Sequence, residues 1–187
     1  MLEPLPDGTN CRTQNSESLS GKELTMRDQV LASYALVLDY ARRLLADLSE
    51  DQMTAQPVAG MNHPAWIVGH LIFSCELIGV EMGLAPWLPA DWEERFVAGS
   101  PVETIPARYP RKNDLLALFA DATTQVSERL AEMADDELDA PLPDERCRDV
   151  FPTVGHAVLH ILIAHASIHL GQLSAWRRAM RLPEPDA

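Results

Sequence analysis

The chain has 187 residues, 47% of them hydrophobic and 23% charged, which is typical of one folded globular domain. Its formal net charge of −13 argues against a nucleic-acid partner, because phosphate backbones are bound by clustered Lys and Arg. Three widely spaced cysteines (Cys11, Cys75 and Cys147) without CxxC spacing indicate reduced thiols and a cytoplasmic location. No secretory leader or uninterrupted apolar run of about 18 residues is visible, so we expect no membrane partner.

Residues 1–22 are rich in Pro, Gly, Ser, Thr and Asn, and predict a loosely ordered tail. Four later stretches carry apolar residues three and four positions apart, the period of an amphipathic helix. We predict helices over about 25–48, 62–84, 113–134 and 153–181. Asn62, with Pro64 in the first turn, is the predicted cap of the second helix, Asn113 or Asp114 of the third, and Thr153 of the fourth.

The predicted fold is therefore all-α: a four-helix bundle over residues 23–182, followed by a short polar tail at 183–187. The connection between the second and third helices is unusually long and contains "PWLPADWEERFVAGSP", whose "ADWEERF" predicts a short extra helix. Its aromatic residues either seal the end of the core or contact a substrate; they are Trp87, Trp92 and Phe96.

The fourth predicted helix contains two histidine pairs with a spacing of four residues. At about 100° per residue, His165 and His169 point toward the core, whereas His156 and His160 point about 180° away. Two imidazoles one turn apart in an apolar interior suit one metal ion, although an HxxxH pair also occurs in ordinary packed helices. A metalloprotease is excluded, because its motif places Glu directly after the first histidine and Ala166 stands there.

A third ligand is expected from another helix, and the second predicted helix offers His70 within the apolar run "WIVGHLIF". Ser74 lies one turn after it and is a candidate to orient a ligand. His63 lies about 10 Å away along the axis, too far to share the ion, and is expected to be exposed or to cap the helix. Cys75 points elsewhere and is interpreted as a packing residue.

The segments "NHPAWIVGHL" and "HASIHLGQL" resemble the DinB/YfiT-like metalloenzymes, over about 155 residues of the chain. The resemblance implies a four-helix bundle with a divalent metal bound by one histidine of the second helix and an HxxxH pair of the fourth, here His70, His165 and His169. In many members another histidine precedes the pair by four residues. Here that position is Ile161, and His160 lies five before the pair, so a role for His160 is not expected.

Three neutral imidazoles leave the ion open positions, as catalytic metal sites do, and suit Zn²⁺, Ni²⁺, Fe²⁺ or Mn²⁺ without choosing among them. Gln172 falls near the same helix face, where its amide could hydrogen-bond a metal-bound ligand as a catalytic residue or serve in helix packing. Because the ligands must be neutral, metal affinity is expected to fall below about pH 6.5.

The resemblance implies an enzyme that transfers groups to or from a low-molecular-weight thiol, such as bacillithiol or mycothiol. A metal-dependent hydrolase and a non-enzymatic metal-binding or stress-response bundle are the alternatives. A small-molecule substrate is the expected partner. A homodimer is a further possibility, because the fourth predicted helix carries apolar residues on a flank outside the core, at Leu159, Ile163 and Leu170.

Overall fold

A computed structural model describes residues 24–183, and within that range the chain is helical without a β-strand. The four long helices are α1 (Met26–Ala46), α2 (Pro64–Glu81), α4 (Lys112–Glu132) and α6 (Val154–Ala179). Two short helices are α3 (Trp92–Phe96) and α5 (Asp135–Asp139), and single 3₁₀ turns lie at Asp51–Thr54, Pro106–Arg108 and Glu145–Cys147. The predicted all-α bundle, with a short helix between its second and third members, is confirmed. The tail predicted over residues 1–22 and most of 183–187 lie outside the described residues.

The bundle places α1 and α2 at diagonal corners, because each of them packs against both α4 and α6. Helix α2 is the central element, with almost every side chain from Pro64 to Cys75 buried. By length and composition α2 and α6 could each cross a membrane, but 78% of the apolar window of α2 is buried within the bundle. Its hydrophobicity is therefore accounted for by the core that it fills.

Helix starts follow the predicted caps at one position and differ at two. Thr153 caps α6 by accepting a hydrogen bond from the His156 backbone N–H. In α2 the cap is His63 and not Asn62, and its Nδ1 accepts from the Trp66 backbone N–H. The cap residue of α4 is Arg111, and not Asn113 or Asp114, and its side chain makes no capping hydrogen bond. The Glu50 carboxylate, 62 residues away in sequence, accepts from the Lys112 backbone N–H instead. The charge of Glu50 also suits the positive end of the helix.

Helix α6 contains a π-helical stretch at His160–His165 that uniform helical periodicity did not predict. Each π turn holds about one residue more than an α turn, so the two ends of α6 are rotated relative to a regular helix. This rotation contributes to one departure from the predicted faces. Leu170, predicted on a flank outside the core, is buried. Leu159 remains exposed and Ile163 half-buried, and the homodimer stays a prediction.

Candidate metal centre

Three histidine side chains meet in the bundle: His70 from α2, and His165 and His169 from α6. The Nε2 atom of His165 lies 3.1 Å from Nε2 of His70 and 3.1 Å from Nε2 of His169. Two imidazole nitrogens bound to one tetrahedral Zn²⁺ at about 2.0–2.1 Å lie about 3.3 Å apart. The cluster therefore has the spacing of ligands that share an ion, and these three residues could hold one.

The tautomers of two rings follow from their partners. His70 Nδ1–H donates to the Phe96 carbonyl at 2.7 Å, and His169 Nδ1–H donates to Gln172 Oε1 at 3.2 Å. Because a carbonyl oxygen only accepts, the proton in each ring sits on Nδ1 and the Nε2 lone pair points to the centre. This is the arrangement of histidines that ligate metals through Nε2 while an outer acceptor fixes the ring.

Gln172 was predicted either to hydrogen-bond a metal-bound ligand or to serve in helix packing. In the structure its amide oxygen accepts from the His169 ring and also from Asn62 Nδ2 at 3.1 Å. Gln172 therefore orients a candidate ligand through the Nδ1 atom of that ligand. The Ser74 hydroxyl donates to the backbone carbonyl of His70, one turn earlier in the helix, and makes no hydrogen bond to the His70 ring.

The short helix α3 supports His70 on the side away from α6. Phe96 is fully buried and provides the carbonyl that accepts from His70, while the Trp92 indole N–H donates to the Gly69 carbonyl at 3.1 Å. Trp66 stacks on His70 from the same helix, with ring centroids 4.9 Å apart and planes 7° from parallel. Two of the three aromatic residues of the long connection, Trp92 and Phe96, therefore seal the core. Their contacts with Gly69 and His70 also hold the His70 ring in place.

His63 was expected to be exposed or to cap the second helix; it is buried and caps α2. Its Nδ1 caps α2, and its Nε2–H donates to the Glu103 carbonyl at 2.8 Å. Both nitrogens are occupied, so this histidine is structural. Cys75 is also a packing residue, as predicted: it is buried, its thiol lies 3.6 Å from the Tyr34 hydroxyl, and burial raises its pKa to about 11.

His160 was predicted to point away from the site, and this is wrong. Its ring centroid lies 6.4 Å from that of His165, and its ring also contacts Phe151 at 5.0 Å. The π-helical stretch is the physical reason, because it places a residue five positions before His165 on the same side of the helix. His156 is exposed, as predicted.

Burial and crowding keep the three imidazoles neutral. Desolvation lowers the pKa of His165 to about 4, with the neighbouring His169, His70 and His160 adding to the effect. Desolvation also lowers the pKa of His169 to about 4, together with His70 and against the Gln172 hydrogen bond. The pKa of His70 is lowered by burial and partly restored by the Phe96 carbonyl. Neutral nitrogens are the form that binds metals.

These pKa values predict how pH affects the metal-free protein. Between about pH 6.5 and pH 4 the unfolded chain protonates His165 and His169 while the folded protein does not. The free energy of unfolding should therefore decrease as pH falls through this window and stop responding to these groups below about pH 4. Thermal unfolding of wild type and of the double variant His165→Gln/His169→Gln at several pH values measures this. A variant whose stability falls as steeply as that of wild type would contradict it.

The same pKa values shift the expected pH limit of metal binding. Exposed histidine ligands lose affinity below about pH 6.5. Here His165 and His169 resist protonation down to about pH 4, so affinity is expected to persist to a lower pH than the sequence alone suggested.

Comparison with known proteins adds a family and a fold. A family model described as the DinB superfamily matches residues 34–173, which include all three histidines of the cluster. A crystal structure of a conserved protein from Enterococcus faecalis is similar with a TM-score of 0.65 and 18% sequence identity, covering 84% of this chain and 98% of that chain. At that identity the likeness shows the fold alone. No curated protein matches the chain.

Proposed function

Since the chain belongs to the DinB superfamily, we propose that His70, His165 and His169 hold a divalent metal ion and that the protein is a metal-dependent enzyme. The observation that carries this is the convergence of three Nε2 atoms, with that of His165 3.1 Å from each of the other two, whose lone pairs are fixed by outer acceptors. Zn²⁺, Ni²⁺, Fe²⁺ and Mn²⁺ all suit imidazole nitrogens to different degrees. Within the described residues no carboxylate or thiolate joins the cluster, so the shell has room for an exogenous group.

The proposed reaction is group transfer to or from a low-molecular-weight thiol. A divalent ion held by these three histidines would supply Lewis acidity, which would lower the pKa of a bound thiol or water. In the transfer the sulfur forms a bond to an electrophilic carbon, the leaving group departs with the bonding electron pair, and the thiol proton goes to solvent. The chain's own contribution is to fix the three rings, keep them neutral and exclude water behind His70 through Trp66 and Phe96.

The partners proposed for this enzyme are small molecules. The net charge of −13 does not favour nucleic acid, and the two apolar helices are bundle elements, which supports a soluble, cytoplasmic enzyme without a membrane partner. A homodimer is compatible with the exposed Leu159 and Ile168 on α6.

A thiol-consumption assay tests the proposal. Metal-loaded wild type and His165→Ala are incubated with small thiols and a chromogenic electrophile, and both product and remaining thiol are measured. We expect wild type to consume thiol in step with product and the variant to fall to the uncatalysed rate. Equal rates in the two proteins for every pair of substrates would contradict thiol transfer. Product without thiol consumption would identify a hydrolase, and metal-dependent thermal stability without either reaction would identify a structural site.

A further inference from the structure

The third candidate ligand lacks the outer partner that the other two have. Nδ1 of His165 is buried and has no hydrogen-bond partner among the described residues, whereas Nδ1 of His70 and of His169 each donate to an oxygen. Once Nε2 of His165 binds an ion, the ring proton must sit on Nδ1. A buried N–H without an acceptor is destabilising, because it loses its hydrogen bond to water and gains none in return. The site is therefore incomplete on this side.

The π-helical stretch brings one ring to that side. In a regular α-helix five residues turn through about 500°, which would place His160 about 140° from His165. The π-helical His160–His165 segment contains the extra residue that brings the two rings to the same side of the helix, with centroids 6.4 Å apart and planes tilted by 38°. π-bulges are frequent at functional sites, and this one ends on a candidate ligand.

His160 is free to act as the acceptor. Its side chain is half-buried, its ring packs on Phe151, and neither of its ring nitrogens has a hydrogen-bond partner among residues 24–183. A neutral imidazole has one acceptor nitrogen, the group that His165 Nδ1–H requires. At 6.4 Å between centroids a rotation of the His160 side chain, or one bridging water, completes the bond.

We infer that His160 is a positioning residue of the metal centre and that its ring nitrogen accepts the hydrogen bond of His165 Nδ1–H when the ion is bound. It acts through His165 and does not touch the ion. The inference rests on the proposed metal site. The π-helical stretch would then give His165 an outer acceptor, as Phe96 does for His70 and Gln172 does for His169.

Competition titrations with Zn²⁺ on four proteins test this inference: wild type, His160→Phe, His160→Gln and the control His156→Phe. Phenylalanine preserves packing on Phe151 but cannot accept a hydrogen bond, whereas the glutamine amide oxygen can. Loss of an outer partner commonly lowers metal affinity about 10- to 100-fold, which is the expected effect of His160→Phe. His160→Gln should recover most of that loss. His156 also contacts Phe151 but points to solvent, so its variant should bind as wild type does.

Proton NMR of the Zn²⁺-loaded proteins gives a second measurement. Wild type should show three slowly exchanging imidazole N–H resonances, one for each ligand, and His160→Phe should lose the one from His165 while its circular dichroism stays helical. Wild-type affinity and three resonances in His160→Phe would overturn the inference and leave the metal site intact. A loss of affinity in His156→Phe equal to that in His160→Phe would also overturn it. Failure of wild type to bind Zn²⁺, Ni²⁺, Fe²⁺ or Mn²⁺ would contradict the proposed function itself.

Discussion

Replacement of His165 by Ala is expected to abolish stoichiometric binding of a divalent metal. His165 is the central member of the cluster, since its Nε2 lies 3.1 Å from each of the other two Nε2 atoms. The variant retains two nitrogens, too few to fill a site of the three-histidine type. The loss should exceed the roughly 10- to 100-fold effect of removing an outer partner. Elemental analysis after dialysis, together with a competition titration, measures it.

The control for this experiment is His156→Ala on the same helix. His156 is exposed and lies outside the cluster, so its replacement removes an imidazole without removing a candidate ligand. His70→Ala and His169→Ala should behave as His165→Ala does. Equal metal content in the His165, His70, His169 and His156 variants would contradict the assignment of the ligands.

The substitution Gly69→Ala is expected to destabilise the fold and weaken the metal site together. A Cβ atom at this position would lie 2.1, 2.4 and 2.6 Å from three atoms of the Phe96 ring. The ring is fully buried and packed against Trp92 at 4.7 Å, so it has no space to move. Overpacking typically costs about 1–3 kcal/mol, more than the roughly 1 kcal/mol that alanine gains over glycine in a helix. Displacing Phe96 also moves the carbonyl that holds His70.

Gly171→Ala on α6 is the matched control. No atom lies within 4 Å of a Cβ built there, and the residue is exposed within the helix. It should therefore be stabilised by up to about 1 kcal/mol. Chemical denaturation and Zn²⁺ titration of both variants give the comparison. Gly69→Ala with the stability and Zn²⁺ affinity of wild type would show that α3 does not hold the site.

The sequence predicts the bundle because its helices are encoded locally. Apolar residues recur at three and four positions in the 25–48 and 113–134 stretches, and Thr153 caps the last helix as its hydroxyl suggests. The structure also brings His165 and His169 to one side with His70, as their spacing suggests. Their relative position is preserved because His165 is the last residue of the π-helical stretch and the chain from Ala166 through His169 is regular α-helix.

What the sequence does not predict depends on contacts between distant segments. No local sequence pattern indicates the π-helical stretch. The assumption of a constant helical rotation of 100° per residue therefore placed His160 on the wrong side of the helix. The acceptor for His70 is a backbone carbonyl 26 residues away, which no side-chain pattern reveals. Arg177 reads as a surface residue, yet it is buried and bonded to Asp47, 130 residues earlier. Two features of the sequence are consistent with the contact between α2 and α3. Gly69, directly before His70, leaves room for the Phe96 ring, and "DWEERF" contains the two aromatic residues that pack there.

Anomalous diffraction from crystals of the Zn²⁺-loaded wild-type protein locates the ion directly. One strong peak is expected about 2.0–2.1 Å from the Nε2 atoms of His70, His165 and His169, with the His70 and His169 Nδ1 atoms still bonded to Phe96 and Gln172. A peak at another position, or crystals of zinc-saturated protein with no peak among these three rings, would contradict it.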